Sequence, residues 1–326
     1  MSRLPKVLLN GHVVFLSFSV EEGFPFPPND LMNTILESAL ARAQHLYPVK
    51  VSHHLFETTH AHMILVVENP NHIKHFVRAV KTESAHAVNR LLGRKKRTIW
   101  CEGYDSPTVL TVEDMIEKIA YIYTNPSKDG LEDSIERFPG LSSWKAFLRG
   151  ERIRTCPRIR RNEYAPLKST RLTIEESKEL AKNYRDSSKS SHDFHLDFDL
   201  WMSAFDIHDP EEKQRINQRI VERVKELEGE YRKERKEKGL RVKGAKNLML
   251  TPLDTPYVPK RTGRKMWCIC RDIELRKAFI SAVKALVQKG KEVYERWHAG
   301  DFSVPYPLGL FPPSMPKLGE HIGALA

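Results

Sequence analysis

Along residues 1–145, apolar and polar positions mark out an alternation of strands and helices. "GHVVFLSFSV" (Gly11–Val20) is β-branched and aromatic and reads as a strand. "NDLMNTILESALARAQHLYP" has apolar residues at helical spacing, opens on Asn29 or Asp30 as a cap, and stops at Pro48. "VKVSHHLFET" and "HAHMILVV" are strand-like runs with almost nothing between them, which predicts a hairpin. "PNHIKHFVRAVKTESAHAVNRLLG" predicts a helix ending at Gly93, and "RKKRTIWCEGYDSPTVLT" a basic run followed by one or two short strands. "TVEDMIEKIAYIYTNP" predicts a third helix, opened by Thr111 with Asp114 three residues on and closed near Pro126. The order is α+β. It fits a ferredoxin-like (RRM-like) antiparallel sheet with helices on one face and the other face open for a partner.

The texture then changes. Residues 146–200 read as a basic linker region: "WKAFLRGERIRTCPRIRRNEY" is interrupted by Pro157, and "RDSSKSSHD" reads as a flexible loop. In "SHDFHLDFDL", His192, His195 and their neighbouring aspartates read as a helix start rather than a second metal site. Residues 201–326 read as a mostly helical C-terminal region. Its long charged helix, Asp209 to Lys238, keeps Ile216, Ile220, Val224, Leu227 and Tyr231 on one face. That stripe must dock on its own domain or on a second copy, so a homodimer is one expectation. A second amphipathic helix, "DIELRKAFISAVKALVQKGKEVYERW", precedes a Pro-rich end.

Charge narrows the partner. The chain has 326 residues, and 53 Lys and Arg against 42 Asp and Glu give a net charge of +11, which favours a polyanion, nucleic acid above all. No apolar run approaches the ~18 residues a spanning helix needs, so no membrane role is expected. The start, "MSRLPKVLLNGHVVF", does not resemble a signal peptide. Four scattered cysteines do not make a disulfide scaffold; those of "WCIC" read as buried thiols. A cytoplasmic, nucleoid-associated location is the expectation.

Candidate chemistry begins at "ETTHAHMILVV". Side chains two apart on a strand share a face, so His60, His62 and Ile64 lie on one side and Ala61, Met63, Leu65 and Val67 on the other. The second set is apolar and should pack under helices. Two imidazoles about 6.5 Å apart along a strand can converge on one metal ion, or be incidental surface residues. In the third helix, Val112, Met115, Ile116, Ile119 and Tyr123 form a buried stripe. Tyr121 lies off it, with Asn125 one turn further on the same face. His53 and His54 read as sheet-surface filler.

"HAH" on a strand, followed by "YIYTNPSKDGL", resembles the single-tyrosine HUH transposases, closest to REP-associated tyrosine transposases and related insertion-sequence transposases. The matching elements are His60-Ala-His62, Tyr121 with Asn125-Pro126, Gly130-Leu131, and "RFPGLSSW" (Arg137–Trp144), over roughly the first 145 residues. Thr58-Thr59 stands where many members have Pro-Asn, and Ser127 where Val is common. The resemblance implies a metal-dependent transposase or recombinase that cleaves and rejoins single-stranded or hairpin DNA. Tyr121 would form a 5′-phosphotyrosine intermediate, while His60, His62 and Asn125 hold magnesium or manganese. The covalent bond conserves the energy for rejoining, so no nucleotide cofactor is expected. Donor softness alone points instead to zinc or another transition metal. Two alternatives remain: a nucleic-acid-binding regulator on the same fold, and a metal-dependent nuclease using water.

DNA holding is read from charge. Arg94, Lys95, Lys96 and Arg97, and further on Arg152, Arg154, Arg158, Arg160 and Arg161, could neutralise several phosphates. Trp100, Tyr104 and Trp144 offer stacking surfaces beside them, although core packing competes for each. The C-terminal region is expected to extend this surface.

Overall fold

The computed structural model describes residues 4–23, 25–258 and 265–315. A five-stranded sheet carries β1 (Val13–Ser19), β2 (Lys50–Phe56), β3 (His60–Val66), β4 (Thr108–Val109) and β7 (Cys268–Ile269), in the order β2-β3-β1-β4-β7. The pairing is antiparallel except at β4–β7. β2 and β3 form the expected hairpin, Phe56 opposite Ala61, and the register shifts between Val51 and His53.

Period-2 alternation sorts side chains to two cores. Val14, Leu16, Phe18, Ala61, Met63 and Leu65 pack under α1 (Asp30–Leu46) and α2 (Pro70–Leu91). Asn29 caps α1 by accepting from Met32 N. Val13, Phe15, Ile64 and Val66 face the other way. They meet Met115, Ile119 and Tyr123 of α3 (Val112–Lys128). The antiparallel sheet and helical C-terminal region are as expected, but the second face is not bare. α3 lies on it, because the Val112–Tyr123 stripe has to be buried somewhere.

α6 (Pro210–Glu237) then packs on α3 through Ile216, Ile220, Val224 and Leu227, so the long helix docks on its own chain. Both hydrophobic clusters run across position 145. The stretch expected as a linker is folded: α4 (Trp144–Arg149), β5 (Ile153–Pro157), α5 (Ile174–Ser187) and β6 (Ser191–His195) lie in it. β5 and β6 flank α5 in the chain and pair antiparallel against α1, so "SHDFHLDFDL" begins as a strand and only its last residue, Leu200, starts a short 3-10 helix (Leu200–Phe205); the serine-rich run is the short link from α5. α7 (Ala245–Met249) and α8 (Ile273–His298) complete the α-helices among the described residues. None of the described helices is long and apolar enough to cross a membrane. The end of the C-terminal region, 316–326, lies outside the described residues.

Candidate active site

β3 starts immediately after a tight turn in which Glu57 N donates to His60 O at 2.9 Å. His60 and His62 therefore project together onto the α3 face, opposite the small residues Ser19 and Ser17 of β1. Their ring centroids are 4.8 Å apart. The His62 ring stacks on Phe15 at 5.1 Å and meets the edge of Tyr121 at 5.8 Å. Phe15 lies 6.1 Å from Tyr121, so two rings fix the position of the phenol while leaving it half-buried.

The neighbouring tyrosine is different. Tyr123 is fully buried, and its hydroxyl meets His53 Nδ1 at 2.7 Å and Ser143 Oγ at 2.9 Å. Burial pushes its pKa up. Ser143 also accepts from His54 N at 2.8 Å, so the Ser-Ser element ties α3 to β2. Just before it, Gly140 sits where a Cβ would lie 2.3 Å from the Phe138 ring, which only glycine permits. His53 and His54 are thus core residues rather than surface filler. Burial drives both pKa values down to about 3.

α3 presents Lys118, Tyr121, Asn125 and Lys128 at 3-4-3 spacing along one stripe. Thr111 caps its start by accepting from Asp114 N. Pro126 does not end the helix; it lies within the last turn, which runs on to Lys128. The stop comes at Gly130, with φ +67°. There Gly130 N donates to Ser127 O at 3.2 Å and Leu131 N to Pro126 O at 2.8 Å, the Schellman arrangement. Arg235 of α6 binds this end, donating to the Ser127 carbonyl and pairing with Asp133 at 2.8 Å.

Several buried polar atoms here lack partners among the described residues. Both His62 ring nitrogens are buried without a hydrogen bond, as are Glu57 Oε1 and Asn125 Nδ2. Glu57 Oε2 lies 3.3 Å from His60 Nε2, and Thr59 Oγ1 lies 3.2 Å from His60 Nδ1. Burial raises the Glu57 pKa well above the carboxylate range. The nearby Asp129 charge adds to this, while Lys128 opposes it. Burial also lowers His60, and it holds His62 well below the imidazole range, with His60 and then Lys118 and Lys128 adding to the effect. Neutral imidazoles beside a buried carboxylate form a site that a divalent cation would complete. Ligand atoms of Glu57, His60 and Asp129 all lie within 4.8 Å of one another. Two carboxylates make this donor set harder than the histidine pair alone, in the direction of magnesium or manganese. The donor chemistry fits the metal that the resemblance implies.

The stripe and the histidines border a cleft of ≈ 970 Å³ that continues past Tyr104 and Lys265. His60, His62, Tyr121 and Asn125 all line it. Glu57, Asp129, Lys118 and Lys128 were not among the sequence-derived candidates. Asp129 follows Asn125 by one turn, so helical spacing carries a signal for it once α3 is extended past Pro126.

The basic candidates are elsewhere. Arg152 pairs with Asp197 at 2.8 Å and with Asp199. Arg154 pairs with Glu37 at 2.6 Å, and Arg161 with Glu83 at 2.7 Å. Arg158 is half-buried with Nε unpartnered, and Arg160 is exposed. These arginines belong to the β5 region against α1, on the sheet face away from His60 and His62. Arg97 pairs with Glu22, and Lys95 and Lys96 are exposed in the loop after α2, with Arg94 half-buried beside them. Trp100 and Trp144 are buried core residues and offer no stacking surface, whereas Tyr104 borders the cleft.

No protein-family model matches the chain, and no curated protein matches it. A solved structure of a REP-associated tyrosine transposase bound to a REP hairpin aligns with 46% of this chain and 86% of its own. The identity is 19% and the TM-score 0.39.

Proposed function

We propose that the chain is a metal-dependent single-strand DNA transposase or recombinase of the HUH tyrosine type, with Tyr121 as the nucleophile. One observation carries this reading: a half-exposed tyrosine without a hydrogen-bond partner among the described residues faces a buried histidine whose ring nitrogens are both unsatisfied. In the proposed step the Tyr121 oxygen forms a bond to a backbone phosphorus. The P–O3′ bond breaks, the phenol proton passes to water, and the departing 3′-oxyanion takes a proton from water, leaving a 5′-phosphotyrosine and a free 3′-hydroxyl. A divalent ion held by His60, Glu57 and Asp129, with His62 and Asn125 beside it, would supply charge against the attacked phosphate. Phe15 and His62 hold the phenol in place, and Asn125 and Lys118 face the strand from the same helix. Substrate would be single-stranded or hairpin DNA.

The test is a labelled single-stranded oligonucleotide incubated with magnesium or manganese and resolved under denaturing conditions. A covalent protein–DNA adduct is expected from the parent and none from Tyr121→Phe. Cleavage without an adduct would instead favour a nuclease using water. Binding with neither would favour a regulator.

A further inference from the structure

Most arginines near the site are neutralised by carboxylates. Arg223 pairs with Glu117 at 3.0 Å, Arg271 with Glu117 at 3.3 Å, and Arg235 with Asp133. Two cations on α3 form no close ion pair, although Asp114 and Glu117 act on Lys118 from further off and Lys128 acts on buried Glu57. Lys118 Nζ lies 4.9 Å from the centre of the Tyr121 ring, and Lys128 Nζ lies 4.7 Å from it. Lys118 also sits 5.7 Å from the Phe15 ring. Neither ammonium pairs with a carboxylate among the described residues. Lys118 is half-buried in the cleft wall, where burial and then the Lys128 charge lower its pKa. Two mutually repelling cations held at one phenol are unfavourable by themselves, and an anion between or beside them would reverse that sign.

We propose that Lys118 and Lys128 clamp the backbone phosphates flanking the one presented to Tyr121, so that the stripe Lys118–Tyr121–Asn125–Lys128 reads successive linkages of a single DNA strand. This rests on the proposed function for its ligand class. The helical spacing places one lysine a turn before the tyrosine and the other a turn after Asn125, so the clamp also aligns the strand's axis with α3. Unlike the arginines on the far face of the sheet, these cations lie where the strand would have to pass.

The experiment uses full-length protein carrying Tyr121→Phe, so that no chemistry intervenes, and a labelled oligothymidylate read by anisotropy over a salt series. Lys118→Met with Lys128→Met keeps both aliphatic stems and removes both charges. The slope of log affinity against log salt should become shallower by about 1.4, about 0.7 for each single-strand phosphate that is no longer neutralised. Lys118→Arg with Lys128→Arg should restore the parent slope, and Lys178→Met on the exposed face of α5 should leave it unchanged. An unchanged slope in the double methionine variant overturns the clamp. The measurement needs neither the nucleophile nor the metal. A shallower slope in a protein whose Tyr121 parent forms no adduct therefore keeps the clamp and discards the reaction. An adduct-forming parent whose slope ignores the lysines does the reverse.

Discussion

Replacing each of the α3 tyrosines by phenylalanine should separate structure from chemistry. At Tyr123 the lost hydroxyl bridges His53 Nδ1 at 2.7 Å and Ser143 Oγ at 2.9 Å inside the core. His53 Nε2 lacks a close partner among the described residues, so Tyr123→Phe removes the imidazole's one side-chain hydrogen bond. Ser143 keeps its hydrogen bonds with the His54 backbone. One stranded buried polar group costs about 1–3 kcal/mol, and the phenyl ring keeps its packing against Trp144. Tyr121 makes no such bond and is half-exposed, so Tyr121→Phe should change stability by no more than about 0.5 kcal/mol. Urea unfolding of both variants, run beside the adduct assay, should show a stable but inactive Tyr121 variant and a destabilised but active Tyr123 variant. Adducts that persist without Tyr121 and vanish without Tyr123 would refute the assignment of roles, as would a Tyr123 variant as stable as the parent.

The other predictions concern the metal, the pH response and the chain's division. His60→Ala or His62→Ala should remove cleavage. Chelation should stop the parent and added manganese restore it. Glu57→Gln should weaken manganese binding by calorimetry more than Asn125→Ala, because it removes a charge rather than a neutral donor. His54 falls from 6.5 to about 3 on folding, so the unfolded chain takes up a proton that the folded chain refuses. Its contribution to stability is therefore present above pH 6.5 and lost progressively as the pH falls toward about 3. His54→Leu, which cannot titrate, should lose less stability over that window than the parent does in parallel urea melts. A chain truncated after Gly150 uncovers the α3 face on which Ile220 and Val224 rest, and should aggregate on purification. A soluble, cooperatively melting fragment would show that α6 is dispensable to the core.

What was legible in the sequence was mostly local. Periodicity separates Tyr121 from Tyr123 because a helix repeats every few residues, and alternation assigns His60 and Met63 to opposite faces for the same kind of reason. The Thr173–Glu176 capping box marks the start of α5 just as locally, although the polar composition around it hides the signal. Other features depend on distance through space. The burial of His53 follows from Tyr123 and Ser143, and the pairing of Arg154 follows from Glu37 on α1. The parallel join of β4 to β7 brings together segments more than a hundred residues apart. Asp129 is hidden by Pro126, which reads as a stop although the helix continues through it. Glu57 reaches His60 only because the turn between them is tight.

The grip of Arg235 on the end of α3 also has a temporal side. Its partner Ser127 lies 108 positions earlier in the chain. During synthesis from the N-terminus, Tyr121, both histidines and Glu57 leave the ribosome long before the arginine that fixes the last turn of α3, and before the apolar stripe of α6 that covers the back of that helix. A growing chain therefore holds all four side chains for a time without the support that aligns them. The order of translation itself delays the completed site until α6 has been made.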